Sequence, residues 1–398
     1  MRLCCNTGGL GFVLDDQGQP LKLKDIESID QYFNLDFYKK IRNEMMNDEK
    51  PNICSKCYEV EDSGGFSVRQ GYLSLYESNE DFLNQVANTK PDGETETCVK
   101  SLDFSLSNKC NLKCVMCSPD ASFLLKKDFD TLGIPYDSKF TEGANKNWNS
   151  FDDVERLMPA LSENLSEYLT TGGEPFLNKT HFKSLELIVE QGRAGQVALN
   201  YHTNCTVENQ KLWELWNNFK AVNAHLSIDA YSSLDEYIRQ GTSWEKLESI
   251  VDKLLAHPKV NAEVHTCVQA LNIFNLTDLY EWIAQKPDIP KLPFHIWMHS
   301  PRWLHINILP QRLKELAFIK LDSYFKKQSY QDETLVLKKN QILSYLRRSL
   351  NEDHDLEQLE VFKERIKKLE EMRGLTPIEN LVPELKSLFP TKKRFFFF

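Results

Sequence analysis

Hydrophobic and polar positions change rhythm three times along this chain. In the first hundred residues a helical spacing covers 37–47, with Tyr38, Ile41, Met45 and Met46 as its apolar positions. Residues 14–19 read as a turn around Gly18. Residues 78–100 are polar, with Pro91-Asp-Gly93 and the acidic Glu94-Thr-Glu96, and read as a loop or linker. From Leu102 the rhythm becomes that of strands and helices in alternation. Strand-like stretches fall at 100–107, 167–171, 196–204, 222–230, 260–269 and 294–298, with a two-residue period in the first. Helical stretches at 152–162, 180–191, 209–219, 244–256 and 276–284 lie between them. Strands alternating with helices through short connections predict a parallel α/β barrel, in which a site forms at the C-terminal strand ends. Beyond Pro310 the pattern changes to charged amphipathic helices at 311–327, 335–350 and 355–373, with a fourth at 378–389.

Composition adds limits. The 398 residues suffice for one large domain or two to three smaller ones. There is no apolar run of 18 and no signal-peptide pattern, so the expectation is a cytoplasmic protein without a membrane partner. Ten cysteines in such a protein point to metal or redox use rather than disulfides. A net charge of −10 disfavours nucleic acid as a partner.

The first strand runs into Cys110-Asn-Leu-Lys-Cys114-Val-Met-Cys117. Ten cysteines at random would give that spacing in roughly one of 160 such chains. Three thiolates in one tight loop can hold three irons of a cubane cluster and leave the fourth iron open. The second strand ends in Gly172-Gly173-Glu174-Pro175. Glycines there let the backbone approach a ligand, and their peptide groups together with the acid can accept an ammonium.

These motifs resemble the signature of the radical S-adenosylmethionine (SAM) superfamily, departing from it only in Met116, where an aromatic residue often precedes the third cysteine. The resemblance covers about 100–310 and implies a partial (β/α)6 barrel open on one side. It implies a [4Fe-4S] cluster on Cys110, Cys114 and Cys117, whose open iron chelates SAM. It further implies one-electron cleavage to a 5′-deoxyadenosyl radical, with a flavodoxin or ferredoxin-type protein as electron donor. By the same resemblance Gly172, Gly173, Glu174 and Pro175 meet the SAM amino group. Ser227 and Asp229 meet its ribose or sulfonium region, and Arg239 pairs with its carboxylate through a guanidinium fork. Asn204 and Gln269 are candidate contacts to SAM or substrate, or locally hydrogen-bonded residues. Tyr201, His202, Asn272 and His299 are candidates for the substrate pocket, and Cys205, Cys267 or Tyr201 for a terminal hydrogen donor.

A second cysteine set, Cys4, Cys5, Cys54 and Cys57, resembles the auxiliary-cluster module called twitch, related to SPASM, although such modules more often follow the barrel. An iron–sulfur cluster, a zinc ion and no metal all remain open for it, as does the fourth ligand, with Cys98 and substrate among the candidates. Arg69 and Lys56 either offset the charge of such a cluster or are solvated. The expected organisation is 1–95 for this module and linker, 96–310 for the barrel and 311–398 for a helical extension. The expected activity is hydrogen abstraction from a peptide or protein. The alternatives are the same chemistry on a nucleoside or sugar derivative, a non-catalytic iron–sulfur protein, and a zinc-stabilised binding protein.

Overall fold

The computed structural model describes residues 13–14, 21, 23–62, 65–105, 107–136 and 151–389. The chain divides into two compact units. One comprises Met1–Leu102, Asn149–Ser166 and Glu186–Arg193, and the other Asp103–Trp148, Glu167–Leu185 and Ala194–Phe398.

The first unit is helical, with Ile29–Phe33, Asp36–Met46, Ser55–Asp62, Val68–Tyr76, Glu80–Ala87 and Phe151–Ser162. Residues 80–87, expected as linker, form a helix because the Asn79 side chain accepts from the Phe82 N–H at 2.9 Å. Glu80 and Asp81 then sit at the positive end of its dipole. Arg42 ties this unit together. It donates to the carbonyls of Gly93 (2.7 Å) and Phe33 (2.9 Å) and to Asn34 Oδ1 (3.1 Å). Gly93 lies at φ +85°, and a Cβ there would come within 2.1 Å of the Lys39 carbonyl oxygen, so the turn needs glycine. Arg69 forks onto Glu61 at 3.1 and 2.5 Å and lies over the Tyr58 ring, which gives it a carboxylate partner. Cys54 and Cys57 stand at and just inside the start of Ser55–Asp62. Cys4 and Cys5 lie outside the described residues.

A six-stranded sheet carries the second unit: β1 (Ser101–Ser105), β2 (Glu167–Thr171), β3 (Ala198–Thr203), β4 (Ala221–Ser227), β5 (Val260–Val268) and β6 (Phe294–Trp297). The strands neighbour one another in chain order, and from β2 to β6 every pair is parallel. With helices between them this is a partial (β/α)6 barrel. Burial alternates with the two-residue strand period. In β4, Val222, Ala224 and Leu226 are buried while Asn223, His225 and Ser227 are half-buried on the opposite face, the lumen of the barrel. Tyr201 corrects an expectation: it is fully buried on the helix side, its hydroxyl bonded to His181 Nε2 (2.9 Å) and Trp216 Nε1 (3.2 Å), so it lines no substrate pocket.

The helices Gln311–Lys326, Glu333–Leu350 and Leu356–Arg373 belong to this same unit. Leu321, Ile342 and Phe362 share one continuous core with Val268, Leu276 and Trp303. The expected last helix is two pieces, Ile378–Leu381 and the 3-10 turn Pro383–Leu388. Pro383 brings no N–H and holds Val382 at φ −128°, ψ 83°, outside the helical region.

Candidate active site

The cysteine loop is held from three sides. Lys113–Cys114 forms a two-residue antiparallel ladder with Arg239–Gln240, pairing Cys114 with Arg239, and the Val115 N–H extends it to the Ile238 carbonyl at 2.8 Å. Asn111 donates to Thr206 Oγ1 at 2.7 Å and accepts from Asn204 Nδ2 at 3.0 Å. From the far end of the chain Arg373 donates to the Lys113 carbonyl at 2.9 Å and twice to Asp128, at 2.9 and 2.7 Å.

Within the loop, Cys114 is buried and Cys110 and Cys117 are half-buried. Cys110 Sγ accepts from the Leu112 N–H at 3.5 Å and from Asn204 Nδ2 at 3.7 Å. Burial pushes the Cys110 thiol up to about 11. Cys114 is also pushed well up, first by its hydrogen bond to the Cys117 thiol and then by burial, while Arg239 pulls the other way. Both are neutral thiols at pH 7 in the metal-free chain, and a bound cation would release their protons.

Gly172 and Gly173 follow β2 at φ +80° and +54°. Cβ atoms there would stand 2.7 Å from the Ser107 carbonyl oxygen and 2.3 Å from that of Lys109. The glycines therefore let the β2 end lie directly on the chain leading into the cysteine loop, and the Glu174 N–H donates to the Lys109 carbonyl at 2.8 Å. The Glu174 carboxylate is buried and accepts from the Asn204 N–H (2.8 Å), Thr203 Oγ1 (3.0 Å) and the Phe176 N–H (3.2 Å). Burial raises it to about 7, against those donors. Its side chain knits the ends of β2 and β3 together, and Pro175 is buried at the start of a short turn beside it.

At the end of β4, Asp229 is fully buried and pairs with Arg239 Nε at 2.8 Å while accepting from the Cys267 N–H at 2.7 Å. Asp235 holds the Asp229 N–H at 2.9 Å, and burial raises its carboxyl to about 7. Ser227 ends β4, half-buried on the lumen face. Asn272 is fully buried and braces the Asp229 and Cys267 carbonyls at 2.7 and 2.9 Å. Gln269, just past β5, is fully buried, yet neither atom of its side-chain amide finds a hydrogen-bond partner among the described residues. An orphaned buried amide beside an Asp–Arg pair fits a polar ligand, and three cysteines in one loop fit an iron–sulfur cluster. His299 is exposed and stacks on His305 over a separate cavity of about 200 Å³.

Of the expected residues, the fold gathers Cys114, Asp229, Arg239 and Cys267 into one electrostatic neighbourhood. Asn204 and Glu174 sit beside it as braces. Asp235 and Arg373 escaped notice. Asp235 carries a weak signal, lying six residues after Asp229, whereas Arg373 carries none in a single sequence. A cleft of about 290 Å³ adjoins Met116 and Cys117, lined by Asp128, Phe129, Trp303 and Arg373, and contains none of the residues expected to meet SAM except at the loop itself.

Residues 104–278 match the family model of the Radical SAM superfamily. Solved structures similar to this chain include polyhistidine-tagged anSMEcpe with bound AdoMet, at 14% identity and TM-score 0.42, covering 58% of this chain and 61% of that one. Streptococcus suis SuiB bound to S-adenosylmethionine matches at 14% identity and TM-score 0.38, over 63% of this chain and 50% of its own. SuiB bound to precursor peptide SuiA matches at 16% and 0.34, over 57% and 49%. The chain thus spans less than two thirds of the length of each. No curated protein matches it. Among the described residues no helix is long and apolar enough to cross a membrane.

Proposed function

Because residues 104–278 match the Radical SAM superfamily model, we propose that the protein is an enzyme that cleaves SAM reductively and uses the cleavage to abstract hydrogen from a peptide or protein. The observation that carries this reading is the braced loop of Cys110, Cys114 and Cys117 lying beside the Asp229–Arg239 pair. The three cysteines would hold a [4Fe-4S] cluster. Gly172, Gly173, Pro175, Ser227, Asp229, Arg239 and the orphaned Gln269 amide would face SAM. So held, the cluster would supply the one electron needed for reductive cleavage of the S–C5′ bond of SAM.

The chain's own contribution is positioning. Asn204 and the Leu112 N–H donate toward the Cys110 sulfur, which favours its thiolate. Arg239 places a positive charge next to Cys114 and is itself anchored by Asp229. Glu174 fixes the β2 and β3 ends on which the glycines lie. A flavodoxin or ferredoxin-type donor, and a cytoplasmic setting, belong to the same reading. A second cluster on Cys54 and Cys57, with Cys4 and Cys5, rests on the twitch-like spacing. A peptide is favoured by that spacing and by β6, whose Phe294 and Ile296 leave an apolar wall exposed. The polar face of Asn200, His202, Asn223 and His225 favours a second reading, a nucleoside or sugar derivative.

The test is anaerobic reconstitution followed by SAM and dithionite. 5′-Deoxyadenosine is expected from the wild type and not from Cys114→Ala. An iron-replete wild type that yields none would sink the enzymatic reading, and iron falling in the variant by one cluster without reaching zero would support a second cluster.

A further inference from the structure

Inside the barrel, on the lumen face, lies a set of side chains that the reaction above does not use. His225 on β4 pairs in register with Glu263 on β5, and His265 follows two residues on, so all three point to the same side of the sheet. One ligand atom from each lies within 4.8 Å of the other two, the one such trio among the described residues.

We propose that His225, Glu263 and His265 bind a divalent transition-metal ion of the zinc class in the barrel lumen. Glu263 Oε2 and His265 Nε2 are 3.3 Å apart. Two donors on one tetrahedral ion, with bonds of about 2.0–2.2 Å, stand about 3.4 Å apart. The rings of His225 and His265 lie 4.3 Å centre to centre, and in each the Nδ1 atom is buried with no hydrogen-bond partner among the described residues. Buried ring nitrogens are normally satisfied, so the unpartnered His225 Nδ1 is free to take a cation, while His265 would use the Nε2 that faces Glu263. The outer support is also in place. Lys338 Nζ takes the other Glu263 oxygen at 2.5 Å and the Leu292 carbonyl at 3.0 Å, which fixes the carboxylate and leaves Oε2 turned toward His265. His202 packs against His225 at 4.7 Å, the rings tilted by 30°, and stands exposed as a further imidazole. Three protein donors leave a coordination position open toward the lumen, where a substrate atom would bind.

The site is independent of the cysteine loop, and the test keeps the two apart. The full chain is reconstituted with iron, desalted, and supplied with one equivalent of zinc or cobalt. Metal per chain is then counted in wild type, His225→Ala and His265→Ala. One zinc per wild-type chain is expected, held at least tenfold more weakly in each variant while iron per chain is unchanged. No stoichiometric zinc on the iron-loaded wild type, or equal zinc in the variants, overturns the site. Should the variants fold poorly, the cobalt spectrum of the wild type decides. Nitrogen and oxygen ligand-field bands without sulfur charge transfer support the site, and sulfur charge transfer alone overturns it.

Discussion

Glu174 shows how a residue expected to meet a ligand can serve the fold first. Its carboxyl, ordinarily at 4.5, sits at about 7 in the folded chain because burial disfavours the charge. Between those values the native state keeps a proton that the unfolded chain has lost. The stabilisation is complete below about pH 4.5 and disappears as pH rises through 7, a span of about 3 kcal/mol. Glu174→Gln cannot titrate. Urea unfolding of the iron-free, reduced protein should therefore show wild type gaining on the variant from pH 8 to pH 5, by up to that amount, and a pH-independent difference would refute the assignment. Gly173 is stricter. Gly173→Ala would place a methyl 2.3 Å from the Lys109 carbonyl oxygen at φ +54°. We expect a loss of about 4 kcal/mol or more, with poor iron uptake although every cysteine is intact. The motif itself was plain in the sequence, but what its glycines touch was not, since a string of residues says nothing about which backbone will lie against it.

At the scale of elements, strands and the cysteine loop were legible because their signals are local: a two-residue period, a spacing of four and three, a pair of glycines. The short helix at 80–87 was missed although its cap, Asn79, stands in the sequence, because acidic and turn-forming neighbours hid an apolar stripe of only two turns. The brace of the loop was illegible for a different reason. Arg373 and Asp128 are 245 residues apart in the chain and nothing local marks either as a partner. The pair is buried, so Arg373→Met leaves Asp128 with only Lys113, at 3.7 Å, to answer its charge. That should cost about 3 kcal/mol. Anaerobic reconstitution should also load markedly less iron on the cysteine loop, while Arg373→Lys, which keeps the charge and loses the fork, falls between. Full iron and an unchanged urea midpoint in Arg373→Met would show that the brace is incidental.

For the whole molecule, the barrel and the helices after Pro310 differ in sequence character but not in core. Leu321, Ile342 and Phe362 close over residues that the barrel alone would expose. A chain ending at residue 310 should accordingly elute as aggregate and bind a hydrophobic dye, and a monodisperse, iron-binding fragment would show that the extension is dispensable. The change of pattern at 310 was visible from the sequence. That the later helices complete the unit was not, because amphipathic faces do not name what they cover.

The arginine brace also sets an order of events during synthesis. The Lys113 carbonyl that Arg373 grips is made 260 residues before the arginine that holds it. At ordinary ribosomal speeds that is roughly 13–50 s. For much of that interval the three thiols are without their final clamp, so the loop is completed only after residue 373 has been made. Cluster loading belongs after that clamp has closed, and oxygen has its best opportunity at the thiols before then.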